Sequence, residues 1–317
     1  MTTTPTPRLS CIMVAGACRS RVQHALNRLC AQTVLPSLEI IVVDVSSPGS
    51  TPLTFPEHAP VTLLPAPGLN NWGQARRLGL ERSSAPVVAF TEEHCFADPG
   101  WAAALIEAHQ GPWSSVGYAF RNANRDSYVS RSAMITDYGK WLDPIPRGPI
   151  SWLPGNNVSY KREALLSLGP QLDNALASDF IAHEIFRRRG LKMFVEPAAL
   201  AHHLNFTTVW ETALTNYYWC RAMAASRAKA GQWSRPRLIL QALVTPAAAP
   251  VLRLARLALQ LRHRRPLWRP FLAAIPVFLP VSLCGGIGEA AGYLLGAGHA
   301  EFQLKRWELD VERVPVP

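Results

Sequence analysis

Cysteine is scarce and unpatterned in this chain of 317 residues. The six cysteines, at positions 11, 18, 30, 95, 220 and 284, form no C-x-x-C pair and no dense framework. Their spacing argues against a disulfide scaffold and predicts free thiols, mostly buried, in a reducing compartment. The sequence also lacks an internal repeat with a period of 20–50 residues, so it gives no sign of a solenoid or propeller.

Acidic residues are nearly missing from residues 231–296. This segment has eight basic residues and one acidic residue, and it accounts for +7 of the chain's net charge of +10. It is also apolar, and a basic, apolar segment suits an anionic membrane surface better than a nucleic acid. We therefore expect contact with a membrane surface through residues 235–296 and no nucleic-acid partner.

Disorder is excluded by the composition, since 48% of the residues are hydrophobic and can form a sizeable core. The length allows one large domain with an appendage, or two domains. The N-terminal stretch LSCIMVAGAC resembles a short signal core, but only Arg8 precedes it. A buried first strand explains it better, so we expect a chain that is not exported.

Short apolar runs alternate with helical patterns over the first hundred residues. The runs predict strands at 9–14, 38–43, 61–65 and 86–91, and apolar residues at helical spacing predict helices at 20–31, 72–83 and 98–109. Such alternation predicts an α/β fold with a mostly parallel sheet covered by helices on both faces. Sheets of this kind bind ligands at the carboxyl ends of their strands.

Polar side chains follow two of these predicted strands. Asp44 follows the second strand, and Glu92, Glu93 and His94 follow the fourth, all on one predicted edge of the sheet. Hard divalent cations prefer oxygen ligands, and an added imidazole shifts the preference toward manganese. The same short pattern is also typical of a solvated loop, so spacing alone does not decide between the two.

Five stretches, taken in order, resemble the family 2 glycosyltransferases with the GT-A (Rossmann-like) fold. They are LEIIVVDVSSPGS, NNWGQARRLGLERSSAPVVAF, TEEHCFADPGW, WLPGNNVSYKREALLSLG and LDNALASDFIAHEIFRRRGLKMFVEPAALAHHLNF, and the resemblance covers roughly residues 8–230. The third stretch stands where that family has its acidic metal motif, D-x-D. The fifth is similar to the helix with the catalytic aspartate and the strand that ends in a histidine.

The resemblance implies roles for individual residues and a divalent cation, Mn²⁺ or Mg²⁺, as cofactor. The implied sites are a catalytic base at Asp179, donor-binding residues Asp44, Arg76 and Glu92, acceptor-binding residues Asn156 and Asn157, and metal ligands His94, Glu92 and His203. Arg77 is a further candidate for phosphate contact. The residue-level alternatives are loop capping by Asp44, a solvated helix face at Arg76 and Arg77, a turn at the asparagines, and N-capping of a helix by Asp179.

The sequence departs from the family's usual pattern at the metal motif. Glu92 and His94 replace the two aspartates, which is typical of a subgroup with a T-E-x-H motif. Glu93 is expected to face a neighbouring helix or solvent. His202 should point away from the site, because side chains alternate along a strand. His183 could orient Asp179 or lie on a helix surface.

The resulting hypothesis is a GT-A catalytic domain at residues 1–230 and a helical, membrane-associating region at 231–317. The expected reaction transfers a sugar from a nucleotide-sugar donor to a hydroxyl acceptor, which a lipid could carry, with inversion. The expected setting is cell-envelope polysaccharide or glycolipid synthesis on the cytoplasmic face of the membrane. Two alternatives stay open: a degenerate transferase acting as a binding or scaffold protein, and a nucleotidyltransferase. The latter would need a lysine-rich phosphate loop, and AGACRSR has no lysine.

The sequence predicts interruptions in the C-terminal apolar segments. Pro246 and Pro250 should break the first segment, and Pro276, Pro280 and the glycines of residues 285–298 count against a simple spanning helix in the second. Glu289 counts against it as well, because a charge at the middle of a bilayer costs on the order of 3 kcal/mol. A re-entrant or interfacial hairpin fits the second segment at least as well as a span, and a helical pair packed on the soluble domain stays open as an alternative.

Overall fold

A computed structural model describes residues 6–177 and 179–314, with the backbone alone for residues 179 and 180. The described residues form two compact units. The first comprises residues 6–123 and 141–203, and the second comprises residues 124–140 and 204–314. The predicted functional boundary at residue 230 falls inside the second unit and stays a prediction.

The first unit contains a mixed sheet, which in the described residues has nine strands. The strands are β1 (Leu9–Ala15), β2 (Leu38–Asp44), β3 (Val61–Pro65), β4 (Val87–Glu92), β5 (Cys95–Ala97), β6 (Trp113–Asn122), β7 (Gly148–Ile150), β8 (Val158–Lys161) and β9 (Lys192–His203). They lie in the order β3-β2-β1-β4-β8-β6-β9-β5, with β7 beside β9.

Parallel pairing joins the first four strands, as their sequence pattern predicts. In β1 every residue is buried, which matches a strand covered on both faces. Ala15 pairs with Asp44 of β2, and Val14 pairs with Glu92 of β4, so the carboxyl ends of β1, β2 and β4 meet at one edge. Beyond β4 the sheet becomes mixed, because β8 runs antiparallel to both β4 and β6.

Helices flank this sheet and form most of the second unit. In chain order they are α1 (Arg19–Cys30), α2 (Trp72–Arg82), α3 (Trp101–Ala108), α4 (Tyr128–Tyr138), α5 (Arg162–Leu166), α6 (Leu172–Ala177), α7 (Asp179–Arg188), α8 (Val209–Ala230), α9 (Arg235–Leu261), α10 (Trp268–Leu295) and α11 (Ala300–Lys305). The helices α4 and α8–α11 belong to the second unit, and the others belong to the first. The predicted α/β architecture is therefore confirmed.

The two long helices α9 and α10 are continuous, so the breaks predicted at their prolines are wrong. Pro246 and Pro250 lie inside α9, and Pro276 and Pro280 lie inside α10. Each proline removes only one N–H donor, and the remaining hydrogen bonds of a long helix outweigh that loss. Both helices are long and apolar enough to cross a membrane, with mean hydropathies of 1.6 and 2.0. Core helices of soluble proteins can pass the same test.

Glycines in α10 serve close packing within the second unit. A Cβ atom added to Gly288 would lie 2.2 Å from the Tyr217 carbonyl oxygen, and one added to Gly292 would lie 2.4 Å from that of Arg221. Both carbonyls belong to α8. The glycines that counted against a helix in the sequence are therefore the residues that let α10 approach the backbone of α8.

Glu289 of α10 is surrounded by cations. Its carboxylate lies 2.5 Å from Arg253 Nη2 of α9 and 3.1 Å from Arg227 Nη2 of α8. The hydroxyl of Tyr293 lies 3.4 Å from it. The charge that sequence reasoning treated as isolated is thus neutralised by two guanidinium groups.

Candidate functional site

The candidate site begins where β4 ends. Glu92 is the last residue of β4, Glu93 and His94 form the turn, and β5 begins at Cys95. The strand β5 pairs antiparallel with the end of β9, where Cys95 lies opposite His203. A tight turn and one strand pairing therefore bring together three residues that are up to 111 positions apart in the chain.

Glu92, His94 and His203 form a compact, buried group. One ligand atom from each lies within 4.8 Å of the others. Glu92 Oε2 is 3.4 Å from His94 Nε2 and 3.5 Å from His203 Nε2. The three residues are only 8%, 2% and 6% exposed. The predicted metal ligands are thus assembled around a single carboxylate oxygen.

Two asparagine amides hold the Glu92 carboxylate in place. Asn156 Nδ2 donates to Oε1 at 2.7 Å, and Asn157 Nδ2 donates to Oε2 at 2.5 Å. The Asn157 side-chain oxygen accepts from the Glu92 backbone N–H at 3.1 Å and from the Tyr118 hydroxyl at 3.3 Å. The segment before β8 therefore fixes the end of β4. These contacts orient Glu92, and the predicted contact of either asparagine with an acceptor stays a prediction.

The surroundings of Glu92 favour its ionised form. Burial alone would raise the pKa of its carboxyl group, but His94, His203 and Arg76 hold the pKa far below its ordinary value. A buried carboxylate is stable only where neighbouring groups compensate its charge, and imidazoles, amides and a guanidinium do so here. The site thus presents a negative oxygen ligand between two imidazoles.

Arg76 is buried beside this group, not on a solvated helix face. It lies in α2 with its guanidinium carbon 5.8 Å from the ring centres of Trp72 and Phe90. Its Nη2 donates to Asn156 Oδ1 at 2.8 Å, and its Nη1 donates to the Leu176 carbonyl at 2.9 Å. Arg76 therefore connects the asparagine that holds Glu92 with the last turn of α6.

The neighbouring arginine, Arg77, has a different environment. Its side chain is 47% exposed and lies 2.8 Å from Glu81 and 3.2 Å from Asp173. The structure therefore matches the alternative of a solvated helix face for this residue, with two acidic partners.

Asp44 lies at the same sheet edge but has a different partner. Arg19 of α1 binds both of its carboxylate oxygens, at 3.1 and 2.8 Å, and the Ser46 hydroxyl and backbone N–H donate to Oδ1. Burial would raise the pKa of Asp44, but these hydrogen bonds lower it below its ordinary value. Asp44 is thus a fixed carboxylate at the carboxyl end of β2, and β1 lies between it and Glu92 in the sheet.

The predicted base, Asp179, is the first residue of α7, and its side chain lies outside the described part of the chain. The end of α6, three residues earlier, is held by Arg76. His183, one turn further along α7, is fully buried, and its Nε2 lies 3.0 Å from the Tyr160 hydroxyl. The alternative of a surface histidine is therefore wrong for His183.

The side chains of His202 and Glu93, which adjoin the candidate metal ligands in the chain, point in the predicted directions. His202 lies opposite Phe96 in β5, and its Nε2 is 3.1 Å from Asp98. It is therefore directed away from Glu92, as alternation along β9 requires. Glu93 faces the neighbouring helix α1, where its carboxylate lies 2.6 Å from Arg21 Nη2.

Arg21 is the residue that sequence reasoning missed. Its side chain is 1% exposed, although arginine in a helix is usually solvated. The signal available in the sequence is weak, because only its spacing from His24 and Arg28 places it on one face of α1. That face packs against β5, where the ring of His24 lies 4.4 Å from that of Phe96.

The donor set fits a divalent cation. One carboxylate oxygen and two imidazole nitrogens, all nearly buried and already converging, are ligands that manganese accepts. The fixed amides of Asn156 and Asn157 keep the carboxylate oriented, as outer hydrogen bonds do in known metal centres. Among the described residues, Glu92, His94 and His203 are the histidine, cysteine and acidic side chains whose ligand atoms lie close enough together to hold one metal ion.

A solved structure shares the fold of this chain, and others resemble it over part of its length. The mannosyltransferase PcManGT from Pyrobaculum calidifontis, in complex with GDP-Man and Mn²⁺, matches with a TM-score of 0.55 and 19% identity over 92% of this chain and 88% of that chain. S. aureus TarS 1-349 in complex with UDP-GlcNAc matches with a TM-score of 0.45 and 13% identity. That match covers 62% of this chain and 58% of that one.

Sequence comparison identifies the family. No curated protein matches the chain. The family model described as glycosyl transferase family 2 matches residues 10–169, half of the chain, from β1 through α5. The matched region includes Asp44, Arg76, Glu92 and His94 at the carboxyl edge of the sheet. The chain belongs to glycosyl transferase family 2.

Proposed function

We propose that the chain transfers a sugar from a nucleotide-sugar donor to a hydroxyl acceptor, with a divalent cation held by Glu92, His94 and His203. The observation that carries this proposal is the convergence of these three buried side chains at the carboxyl edge of the sheet. Family membership supplies the reaction class, and the site supplies the ligands.

The proposed reaction releases a nucleoside diphosphate, on which negative charge develops. A bound divalent cation would supply electrostatic stabilisation of that charge. The chain's own groups would do the positioning: Glu92 is oriented by two asparagines, and Arg76 keeps Asn156 in place. We assign Asp44 to the nucleoside part of the donor, because it is ionised and lies at the same edge.

Manganese suits this donor set better than magnesium. Magnesium demands oxygen ligands in a strict octahedron, whereas manganese accepts imidazole as well as carboxylate. The solved PcManGT complex contains Mn²⁺ and GDP-Man, which supports the same cation here. We place the chain in the subgroup with a T-E-x-H motif, in which Glu92 and His94 replace the aspartates.

Asp179 is the proposed general base, and the transfer is proposed to be a direct displacement with inversion. Asp179→Asn retains most capping capacity but cannot accept the acceptor's proton. It should lower turnover by about 10²–10⁴-fold, the range found when a general base is lost. Donor affinity should stay unchanged. Near-normal turnover would assign Asp179 to capping alone.

Donor binding tests the metal role directly. Calorimetric titrations with GDP- and UDP-sugars, with and without MnCl₂, should show binding that manganese strengthens in the wild type. His94→Ala should lose this dependence, whereas His202→Ala, which removes an imidazole directed at Asp98, should retain it. Metal-independent binding in all three proteins would refute the metal site.

Turnover then separates an enzyme from the alternatives. Slow release of nucleoside diphosphate from a bound nucleotide-sugar, with manganese and without acceptor, is expected of a transferase. Binding without any release, in the presence of a panel of hydroxyl acceptors, would favour a scaffold. Release of pyrophosphate from a nucleoside triphosphate and a sugar phosphate would favour a nucleotidyltransferase.

We further propose that residues 235–296 bind a membrane surface and that the acceptor is lipid-linked. Many exposed side chains of α9 and α10 are large and apolar, among them Ile239, Leu240, Leu243, Val251, Leu252, Leu259, Leu272, Leu279, Leu283, Leu294 and Leu295. Basic residues stand between the two helices, at Arg262, Arg264 and Arg265. Apolar contact together with cationic attraction is typical of interfacial binding to anionic lipid. The proposed setting is cell-envelope polysaccharide or glycolipid synthesis at the cytoplasmic face of the membrane.

Sedimentation with vesicles tests this attachment. The full-length chain should sediment with vesicles that contain anionic lipid and less with purely zwitterionic vesicles. The variant Leu240→Gln/Leu243→Gln, altered at side chains that are 59% and 75% exposed, should bind more weakly. Equal recovery in the supernatant with all vesicles would refute the proposal. Extraction by carbonate would indicate a surface-bound protein, and resistance would indicate a span.

A further inference from the structure

A second carboxylate touches His94, and the proposed metal site does not use it. His94 Nδ1 lies 3.2 Å from Glu93 Oε1, on the side of the ring away from Glu92. The Glu93 side chain is 1% exposed, and so is that of its ion-pair partner Arg21, at 2.6 Å. Two charged groups are thus buried directly behind the imidazole.

Helix α1 is fixed on this side of the site at more than one point. His24 packs its ring against Phe96, and Arg28 donates to the Ala97 carbonyl at 3.1 Å and to Asp98 at 3.0 Å. These residues share the face of α1 that carries Arg21. Helix α1 is therefore anchored beside β5, and the ion pair with Glu93 holds the Arg21 guanidinium at the turn that contains His94.

Metal ligation by His94 requires a particular proton arrangement. A neutral imidazole offers one nitrogen lone pair to a metal and carries its proton on the other nitrogen. Nε2 is the nitrogen that faces Glu92, so the proton must lie on Nδ1. Glu93 Oε1 is placed to accept that proton in a hydrogen bond.

We propose that Glu93 is a positioning residue that fixes the ring orientation of His94 for metal binding, and that Arg21 holds the Glu93 carboxylate in place beside that ring. This inference rests on the proposed metal role of His94. Carboxylate groups that hydrogen-bond to a ligating histidine raise its basicity and set its orientation. Burying a carboxylate without a compensating charge is energetically costly. Arg21 provides that compensating charge for Glu93.

Two double variants separate this role from simple stability. Arg21→Met/Glu93→Gln and Arg21→Met/Glu93→Met both remove the two buried charges with side chains of similar size. Only the first variant retains a side-chain oxygen that can accept a hydrogen bond from the Nδ1–H group of His94. Affinity for MnCl₂, measured from the electron paramagnetic resonance of free Mn²⁺ with and without GDP or UDP, should therefore differ between them. The methionine pair should bind about 10–100-fold more weakly than wild type, and the glutamine pair should recover much of the loss.

Thermal melting and a matched control complete the design. The two double variants should melt at similar temperatures, because they differ by one polar group. Glu196→Gln alters another buried carboxyl group that pairs with an arginine, Arg147, and should leave manganese affinity unchanged. Glu93→Asp retains the charge opposite Arg21 but withdraws the oxygen from His94, so it should also bind manganese more weakly. The manganese affinity of Glu93→Asp therefore still tests the inference if a double variant does not fold.

The outcomes distinguish this inference from the function on which it rests. Equal manganese affinity in the two folded double variants, or wild-type affinity in Glu93→Asp, would overturn the positioning role while the metal site stands. Failure of the wild type itself to bind manganese with either nucleotide would refute the metal site, and the positioning role with it.

Discussion

Glu92 in the first unit and Glu289 in the second are both acidic residues inside a folded unit, but their partners differ in kind. Glu92 is surrounded by two imidazoles and two amides, whereas Glu289 is surrounded by two guanidinium groups. An imidazole can lose its proton and offer a lone pair, but an arginine side chain stays protonated. The first arrangement can therefore accept a cation, and the second already contains its cations.

The largest expected difference between the two carboxylates concerns metal-dependent activity. Glu92→Gln retains the shape of the side chain but removes the anionic ligand. We expect sugar transfer, or donor hydrolysis without acceptor, to fall about 100-fold or more, since metal stabilisation of a leaving group is worth several kcal/mol. Glu289→Gln should leave manganese affinity unchanged. Similar loss of manganese binding in both variants would invalidate the distinction.

Glu289→Gln should instead lower stability. Breaking a fully buried ion pair costs about 3–5 kcal/mol, but Arg227 is 45% exposed, which reduces the expected loss to about 1–2 kcal/mol. Thermal or urea unfolding in a mild detergent measures it. The charge-neutral variant Arg253→Met/Glu289→Met should recover part of the loss. An unchanged unfolding free energy in Glu289→Gln would mean that solvent already screens the charge of Glu289.

A smaller effect is expected for the close packing of α10. Gly288→Ala would place a methyl group against the Tyr217 carbonyl, so α8 and α10 must separate slightly. Overpacking of this kind costs about 1–3 kcal/mol, partly offset by the roughly 1 kcal/mol better helix propensity of alanine. Gly100→Ala in the first unit meets no atom within 4 Å and should change the unfolding free energy very little. Equal unfolding midpoints for both variants would show that α10 moves away from α8 without a measurable loss of stability.

The smallest effect involves a third carboxylate, Glu39, whose partners are neutral. Burial would raise its pKa, but hydrogen bonds from Ser10, Ser84 and the Ala85 backbone lower it below its ordinary value. A lowered pKa in the folded state contributes stability above the pKa of the unfolded chain, and that contribution disappears as the pH falls through the folded value. At pH 7 the unfolding free energy obtained from urea titration should therefore be higher for wild type than for Glu39→Gln, by less than about 1 kcal/mol, and the difference should shrink as the pH falls below the pKa of the unfolded chain's glutamate. A difference that stays constant as the pH falls into the acid range would exclude the ionised carboxyl group as its source.

The sequence was informative where a pattern is local. The periodic apolar runs predicted β1–β4 and the helices between them, and the rule on strand ends placed Asp44 and Glu92 at one edge. Family resemblance added His203, because the pairing of β5 with β9 is a long-range contact that no spacing reveals. Arg21 was missed for the same reason: its burial depends on how α1 packs against the β4–β5 turn. The prolines of α9 and α10 misled the prediction, because a long helix tolerates the loss of single hydrogen bonds.

The tandem histidines of β9 place an imidazole on each face of the strand. His203 is directed at Glu92 and His202 at Asp98, and one residue of slippage between β5 and β9 would put His202 opposite Cys95 in place of His203. Such a shift of register would still leave an imidazole beside Glu92, although it would turn the other side chains of the strand to the opposite face. The doublet therefore makes the local chemistry of the site less sensitive to strand register than a lone histidine would, while the burial of Ala199 and Ala201, on the same face as His203, favours the native register.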